Sequence, residues 1–259
     1  MITSPHNERV KLVRLLQSRS KARRQHNRLV LEGARLVGDA LAAGTRPDFV
    51  FYDAAASQPG TPARNLIARA EGAGIECWEV SAALMRDMAD TETPQGILGV
   101  FPLPDLPLAT APGLVVVADG WRDPGNLGTA IRTAAAAGVD LVVLTPGTVD
   151  PFNPKALRSG MGGQFRVPIR SLDWPGVTGS FPGMAVYLAD AAGERPYTAV
   201  DWTQPSLLVI GGEAHGFSSA AEGIPHTRIR IPMVPGVESL NAAVSASILI
   251  YEARRHKFF

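Results

Sequence analysis

Three glycine-bearing polar stretches hold the residues that could do chemistry. They are Asp119 to Gly128 with Asn126, Gly211 to Gly216 with Glu213, and Ile231 to Asn241 with Ser239 and Asn241. Each follows an apolar, strand-like run: Leu114 to Ala118, Leu207 to Ile210, and Thr227 to Met233. In a parallel sheet such loops gather at one edge, outside the carboxyl ends of the strands, where ligands bind. Glycine lets backbone N–H and C=O groups approach a ligand closely. Arg132 lies beyond Asn126 on an Ala-rich helix, and an arginine beside a cleft can hold a phosphate through two parallel hydrogen bonds. Glu213, between glycines, could pair with Arg132 or position a ligand amine. Taken singly, each feature has a plainer reading: a strand–loop–helix joint, a surface helix residue, a solvated turn residue. Three such loops in one domain are harder to dismiss than one.

Other chemistries are not supported. No Walker A sequence occurs. Gly160-Met161-Gly162-Gly163 fails as a dinucleotide fingerprint because position 165 is Phe, and the nucleophile elbow is absent. His6, His26, His215, His226 and His256 do not fall at metal-ligand spacing, and Cys77 is the only cysteine, so no metal site is expected. One cysteine also excludes a disulfide within the chain and fits a reducing compartment. Cys77 lies in an apolar run and reads as core.

The elements that must position these loops alternate along the chain. Ser4-Pro5 reads as the start of a helix whose apolar stripe includes Val10, Val13 and Leu16. Gln17 to Arg28, polar and basic, reads as the end of that helix and an exposed arm. Strands are expected at 28–32, 48–52, 75–80 and 97–101, with helices at 33–43, 62–71 and from Ser81 to about Asp90. Four prolines between Pro102 and Pro112 mark a boundary, because proline cannot join a sheet ladder. Beyond it, strands are expected at 114–118, 141–144, 164–169, 184–189, 207–210 and 227–233, and helices at 129–137, 153–159 and 239–255. Strands alternating with helices imply an α/β layer fold. Three parts follow: residues 1–105, a Pro-rich linker at 106–112, and residues 113–259.

Hydrophobic residues make up 46% of the 259 and charged residues 19%, which suits a packed core. The formal net charge is only +1, but residues 1–35 hold nine lysines and arginines against two glutamates. Such a basic lobe points to an anionic partner, nucleic acid first, against the plainer reading of a solvated helix face. Arg9, Lys11, Arg19, Lys21, Arg23, Arg24 and Arg28 are the candidate phosphate contacts. The N-terminus has no apolar signal segment and no uncharged apolar run reaches membrane-spanning length, so a soluble cytoplasmic protein with no membrane partner is expected.

Taken together, the loops resemble a known family. Asn126-Leu-Gly128 through Arg132 to Gly138 resembles the first motif of the SpoU (TrmH-type) RNA ribose methyltransferases of the SPOUT superfamily. Gly211-Gly212-Glu213-Ala214-His215-Gly216 looks like their second motif, and Ile231-Pro-Met233 through Ser239-Leu240-Asn241 like their third. Asn7 to Lys11, Val30 to Gly33 and Thr93-Pro-Gln95-Gly96 are similar to markers of the family's L30e-like RNA-binding extension. The resemblance implies an α/β trefoil-knot domain behind a smaller L30e-like α/β domain. It implies a homodimer that methylates a ribose 2′-hydroxyl of structured RNA, ribosomal RNA (23S-type) before tRNA, with S-adenosylmethionine as cofactor and no metal. Gly211, Gly212, Glu213, Ile231, Met233 and Leu240 would hold the cofactor. Asn126, Arg132, Glu213, Ser239 and Asn241 would serve catalysis, Arg132 by fixing phosphate and stabilising developing alkoxide charge. The small face of the last helix, Ala242, Ala243, Ser245 and Ala246, would pack in the dimer. Ala242-Ala243 departs from the family, which more often has Val followed by a small residue there. A non-catalytic RNA-binding or ribosome-assembly factor of the same fold is the alternative.

Overall fold

The computed structural model describes residues 1–213 and 216–258, and the chain divides into two compact units. The first comprises Met1–Pro104 with Phe152–Gly162, the second Asp105–Pro151 with Gly163–Phe259.

The first unit runs α1 (Glu8–Ser18), α2 (Ser20–His26), β1 (Arg28–Glu32), α3 (Ala34–Ala42), β2 (Phe49–Tyr52), α4 (Pro62–Gly72), β3 (Glu76–Glu79), α5 (Ala82–Met88) and β4 (Ile97–Pro102). Its sheet has the order β1-β4-β2-β3, with β2 and β3 parallel and the other pairs antiparallel. Val10, Val13 and Leu16 of α1 pack with Phe51, Leu84, Met85 and Leu98, as the apolar stripe requires. Two expectations are corrected here. The N-cap of α1 is Asn7, whose side chain accepts from Arg9 N, and not Ser4. The stretch after α1 is no arm but the helix α2, with Ala22 and Arg23 buried. Its turn ends at Asn27, φ 51, in the left-handed region that asparagine tolerates.

The second unit begins with β5 (Leu114–Asp119), α6 (Pro124–Ala136) and β6 (Leu141–Leu144). The helix α7 (Pro154–Gly160) belongs to the first unit. Then come β7 (Ile169–Ser171), α8 (Trp174–Ser180), β8 (Ala185–Ala189), β9 (Arg195–Pro196), β10 (Ser206–Gly211), α9 (Ser219–Glu222), β11 (Thr227–Arg230) and α10 (Ala242–Phe258). The seven strands form one sheet, β7-β6-β5-β10-β8-β11-β9, parallel throughout. Both faces are covered, so β5 and β10 are apolar runs rather than alternating ones. Val116 and Ala118 of β5 join a core with α6 and α10, while Val115 and Val117 join a second core with Trp174 and Val177. Among the described residues no helix is long and apolar enough to cross a membrane.

Several boundaries moved for local reasons. α6 starts at Pro124 rather than Thr129, because Asp123 caps it and proline suits the first helical position. α10 starts at Ala242, capped by Asn241, not at Ser239. The strand expected at 164–169 is a 3-10 turn, Gly163–Phe165, followed by the short β7; Phe165 and Val167 are buried without joining the sheet. β11 ends at Arg230, where its pairing with β8 and β9 ends. Ala242, Ala243 and Ala246 are buried in the core shared with α6, so they pack within their own chain and not in a dimer.

Candidate active site

Because the strands run parallel, the loops after β5, β10 and β11 meet at one edge of the sheet, and three polar side chains tie them together. Asn126, in the first turn of α6, donates through Nδ2 to Glu213 Oε1. Asn241 Nδ2 donates to the same Oε1 at 3.0 Å and to Asn126 Oδ1 at 3.1 Å. The remaining oxygen of Asn241 accepts from Ala243 N and Val244 N and so starts α10. Glu213 Oε2 has no hydrogen bond among the described residues. Glu213 and Asn241 are exposed and Asn126 is half-buried, and both amides are spent on geometry.

The glycines set the loop that carries Glu213. Gly212 and Gly216 exchange two backbone hydrogen bonds of 2.9 Å. A Cβ at Gly211 would stand 2.6 Å from the Gly216 carbonyl carbon, so no side chain fits. Ala214 and His215 of this motif lie outside the described residues. Asp119, closing β5, is the buried brace. Its carboxylate accepts from Ser218 N at 2.7 Å, Thr145 Oγ1 at 2.7 Å, Ser218 Oγ at 3.1 Å and Trp174 Nε1 at 3.3 Å. A carboxylate only 2% exposed needs such donors, and here they fasten the strand end after β10 to β5.

Two cavities open beside the cluster. One, of about 710 Å³, is lined by Gly211, Gly212, Glu213, Ile231, Met233 and Leu240, and also by Ser239 and Asn241. Its far wall holds Arg228, which pairs with Glu222 at 2.7 Å and with Asp190. Those partners, Glu222 first, hold the guanidinium more firmly protonated than usual. The other cavity, of about 260 Å³, is lined by Trp121, Arg122, Asn126, Pro146, Gly147 and Glu213 among others. Ser239 makes no side-chain hydrogen bond among the described residues. Arg132 lines neither cavity; it is exposed on α6 with no side-chain partner among the described residues.

The basic candidates divide. Arg23 is only 3% exposed, and its guanidinium donates to the Leu16 and Gln17 carbonyls at the end of α1. It is a helix brace, which corrects its reading as a phosphate contact. Arg9 pairs with Glu76 at 2.7 Å and stacks over Trp78, Lys11 pairs with Glu8 at 2.7 Å, and Arg28 pairs with Asp48. Arg19, Lys21 and Arg24 are exposed with no acidic partner among the described residues. Cys77 is half-buried on the edge strand β3, and burial pushes its thiol up to about 11. Sequence reasoning did not single out Asp119, Arg122 or Arg228. A charged residue closing the otherwise apolar run of β5 was the available signal for Asp119.

Against known proteins, the model described as SpoU rRNA Methylase family matches residues 113–251, and the MRM3-like substrate binding domain matches residues 7–99. The chain is 34% identical to the human (Homo sapiens) mitochondrial rRNA methyltransferase 3, over 97% of this chain and 73% of that protein. It is also 34% identical to the 23S rRNA (guanosine(2553)-2'-O)-methyltransferase RlmP of Bacillus subtilis (strain 168), over 98% of each. The AdoMet-bound rRNA methyltransferase from Sinorhizobium meliloti superposes with a TM-score of 0.84 at 31% identity, covering 98% of this chain and 97% of that one.

Proposed function

The chain belongs to the SpoU rRNA methylase family, and from that premise we propose that it methylates a ribose 2′-hydroxyl of 23S-type ribosomal RNA with S-adenosylmethionine. The observation that carries the reading is the Asn126–Glu213–Asn241 cluster, which joins all three motif loops beside the larger cavity. That cavity suits the cofactor. Its volume of about 710 Å³ lies inside the range of roughly 300–1,000 Å³ usual for ligand pockets. Its walls mix apolar side chains (Ile231, Met233, Leu240) with glycine backbone at 211 and 212, where a nucleoside can press close. Bound there, S-adenosylmethionine supplies a methyl group on a sulfonium, already activated for transfer to oxygen.

The residues must then do what the cofactor cannot. A ribose hydroxyl is a weak nucleophile and must lose its proton as the new C–O bond forms. We assign that proton to Glu213 Oε2, which has no hydrogen bond among the described residues, while Asn126 and Asn241 hold Oε1. Arg132 serves as a phosphate anchor and stabiliser of developing oxyanion charge. Since it lines neither cavity of its own chain, it acts from outside them, either on bound RNA or in the site of a second copy.

A homodimer belongs to the same reading. Val244, Tyr251 and Phe258 recur every seven residues along α10 and stand 47%, 50% and 51% exposed, an apolar stripe suited to a second copy. Residues 1–105 would choose the RNA, with Arg19, Lys21 and Arg24 gripping its backbone, and residues 113–259 would form the knotted catalytic domain. The reducing cytoplasm suits the single cysteine. The test is incubation with methyl-labelled S-adenosylmethionine and unmodified ribosomal RNA or tRNA. Label is expected in the large ribosomal RNA. Cofactor binding without labelled RNA would instead favour a non-catalytic assembly factor, and label in tRNA alone would move the substrate.

A further inference from the structure

The smaller cavity lies beside the catalytic cluster. It shares Gly212, Glu213, Gly216, Phe217 and Ala242 with the larger cavity, so the two adjoin. At about 260 Å³ it falls below the usual range for drug-sized ligands of roughly 300–1,000 Å³, too small for a second cofactor and suited to one nucleobase with its ribose. Asn126 and Glu213 line it, and Glu213 Oε2 has no hydrogen bond among the described residues. Arg122 stands exposed at its edge with no side-chain partner among the described residues, and an arginine plane both stacks on bases and pairs with phosphate. Pro146 and Gly147 give the opposite wall an apolar ring and bare backbone.

We propose that this cavity is the acceptor-nucleoside site: the target base enters between Arg122 and the Pro146–Gly147 turn, which places its ribose 2′-hydroxyl at Glu213. Arg122 is then a specificity-determining residue, and the 146–147 turn sets the room available to the base. The proposal rests on the methyltransferase reading and adds the place where the RNA nucleotide binds.

Two variants test it without disturbing the fold. Arg122→Ala removes an exposed side chain. Gly147→Asn puts a side chain where a Cβ meets nothing within 4 Å, at φ 87, a positive value that asparagine tolerates better than other side chains. Methyl transfer to unmodified 23S-type ribosomal RNA is measured beside the dissociation constant for S-adenosylmethionine. Each variant is expected to raise the KM for RNA by about tenfold, the loss of one good contact, and to leave cofactor binding within about twofold. An unchanged KM in both variants, with an active parent enzyme, overturns the acceptor site alone. Cofactor affinity falling in step with activity assigns the cavity to the cofactor and also overturns it. A parent enzyme that labels no RNA sinks the underlying methyltransferase reading with it.

Discussion

Glu32 and Glu213 invite comparison. Both sit at or just past the end of a strand and beside a glycine, in segments that resemble family markers, yet the two regions use them differently. In the first unit, Glu32 Oε2 accepts from Asp90 N at 2.8 Å and Oε1 accepts from the Thr91 hydroxyl. Gln95 Oε1 accepts from Ala34 N at 3.0 Å, starting α3, and a Cβ at Gly33 would stand 2.8 Å from that oxygen. These marker side chains are spent on groups of their own unit and hold loop 90–96 against the end of β1. In the second unit, Glu213 gives one oxygen to two amides, and its other oxygen, beside two cavities, has no hydrogen bond among the described residues. A motif residue with every bond satisfied inside its unit is scaffold; one with spare capacity at a cavity is placed for chemistry.

The sharpest way to break that distinction is Arg132, which has spare capacity but no cavity. Arg132→Ala is expected to lower kcat by about 10³-fold, in line with loss of an oxyanion-stabilising group, while cofactor binding stays near the parent value. Loss of cofactor binding would contradict its role. Mixing Arg132→Ala with Asn241→Ala protein then locates it. If each site combines Arg132 of one copy with Asn241 of the other, mixed dimers hold one intact site and about a quarter of the activity returns. No recovery would place both residues in one chain's site.

A smaller effect belongs to the opposite end of β5. Asp140 accepts from Gly113 N and Leu114 N, each at 2.9 Å, and pairs with the buried Arg254. Burial alone would push its pKa up, but the Leu114 N–H, Arg254 and the Gly113 N–H outweigh it and hold the carboxyl below its ordinary range. A depressed folded-state value means the stabilisation is present above the ordinary carboxylate pKa of about 3.9 and is lost as pH falls through the lower folded value. Asp140→Asn is expected to cost about 3 kcal/mol at neutral pH, because Arg254 stays buried without its partner, and to flatten the acid limb of a stability-against-pH curve. An unaltered acid limb would assign that limb to other carboxylates.

The adjacent Arg23 and Arg24 give the finest contrast. Arg23→Gln is expected to lower stability by about 1–3 kcal/mol, since it leaves the Leu16 and Gln17 carbonyls short of a donor. Arg24→Gln is expected to leave the melting temperature unchanged and to reduce the salt slope of RNA binding by about 0.9, one phosphate contact. Equal slopes for Arg24→Gln and the parent protein would return the basic face to solvent.

Much of this was legible in the residues. The apolar runs of β5, β6 and β10 are plain in the sequence, and the three glycine-bearing loops point to Asn126, Glu213 and Asn241. Arg23 was misread because a charged side chain in a basic run carries no local sign that carbonyls at the end of α1 will claim it. The 164–169 stretch was misread because Phe165 and Val167 alternate like a strand while the Gln164 side chain turns inward to the Pro151 carbonyl. The second cavity is not legible for a different reason: its walls come from three separate loops and the start of α10, and only the parallel order of the sheet brings them together.

The most direct test of the contrast is one paired measurement, the methyl-transfer rate per folded molecule for Glu213→Gln and for Glu32→Gln. The Glu213 variant is expected to lose about 10²-fold or more, the usual worth of a proton acceptor, with its stability unchanged. The Glu32 variant is expected to keep the parent rate and lose about 1–3 kcal/mol of stability. A Glu213→Gln enzyme transferring methyl groups at the parent rate would contradict the account.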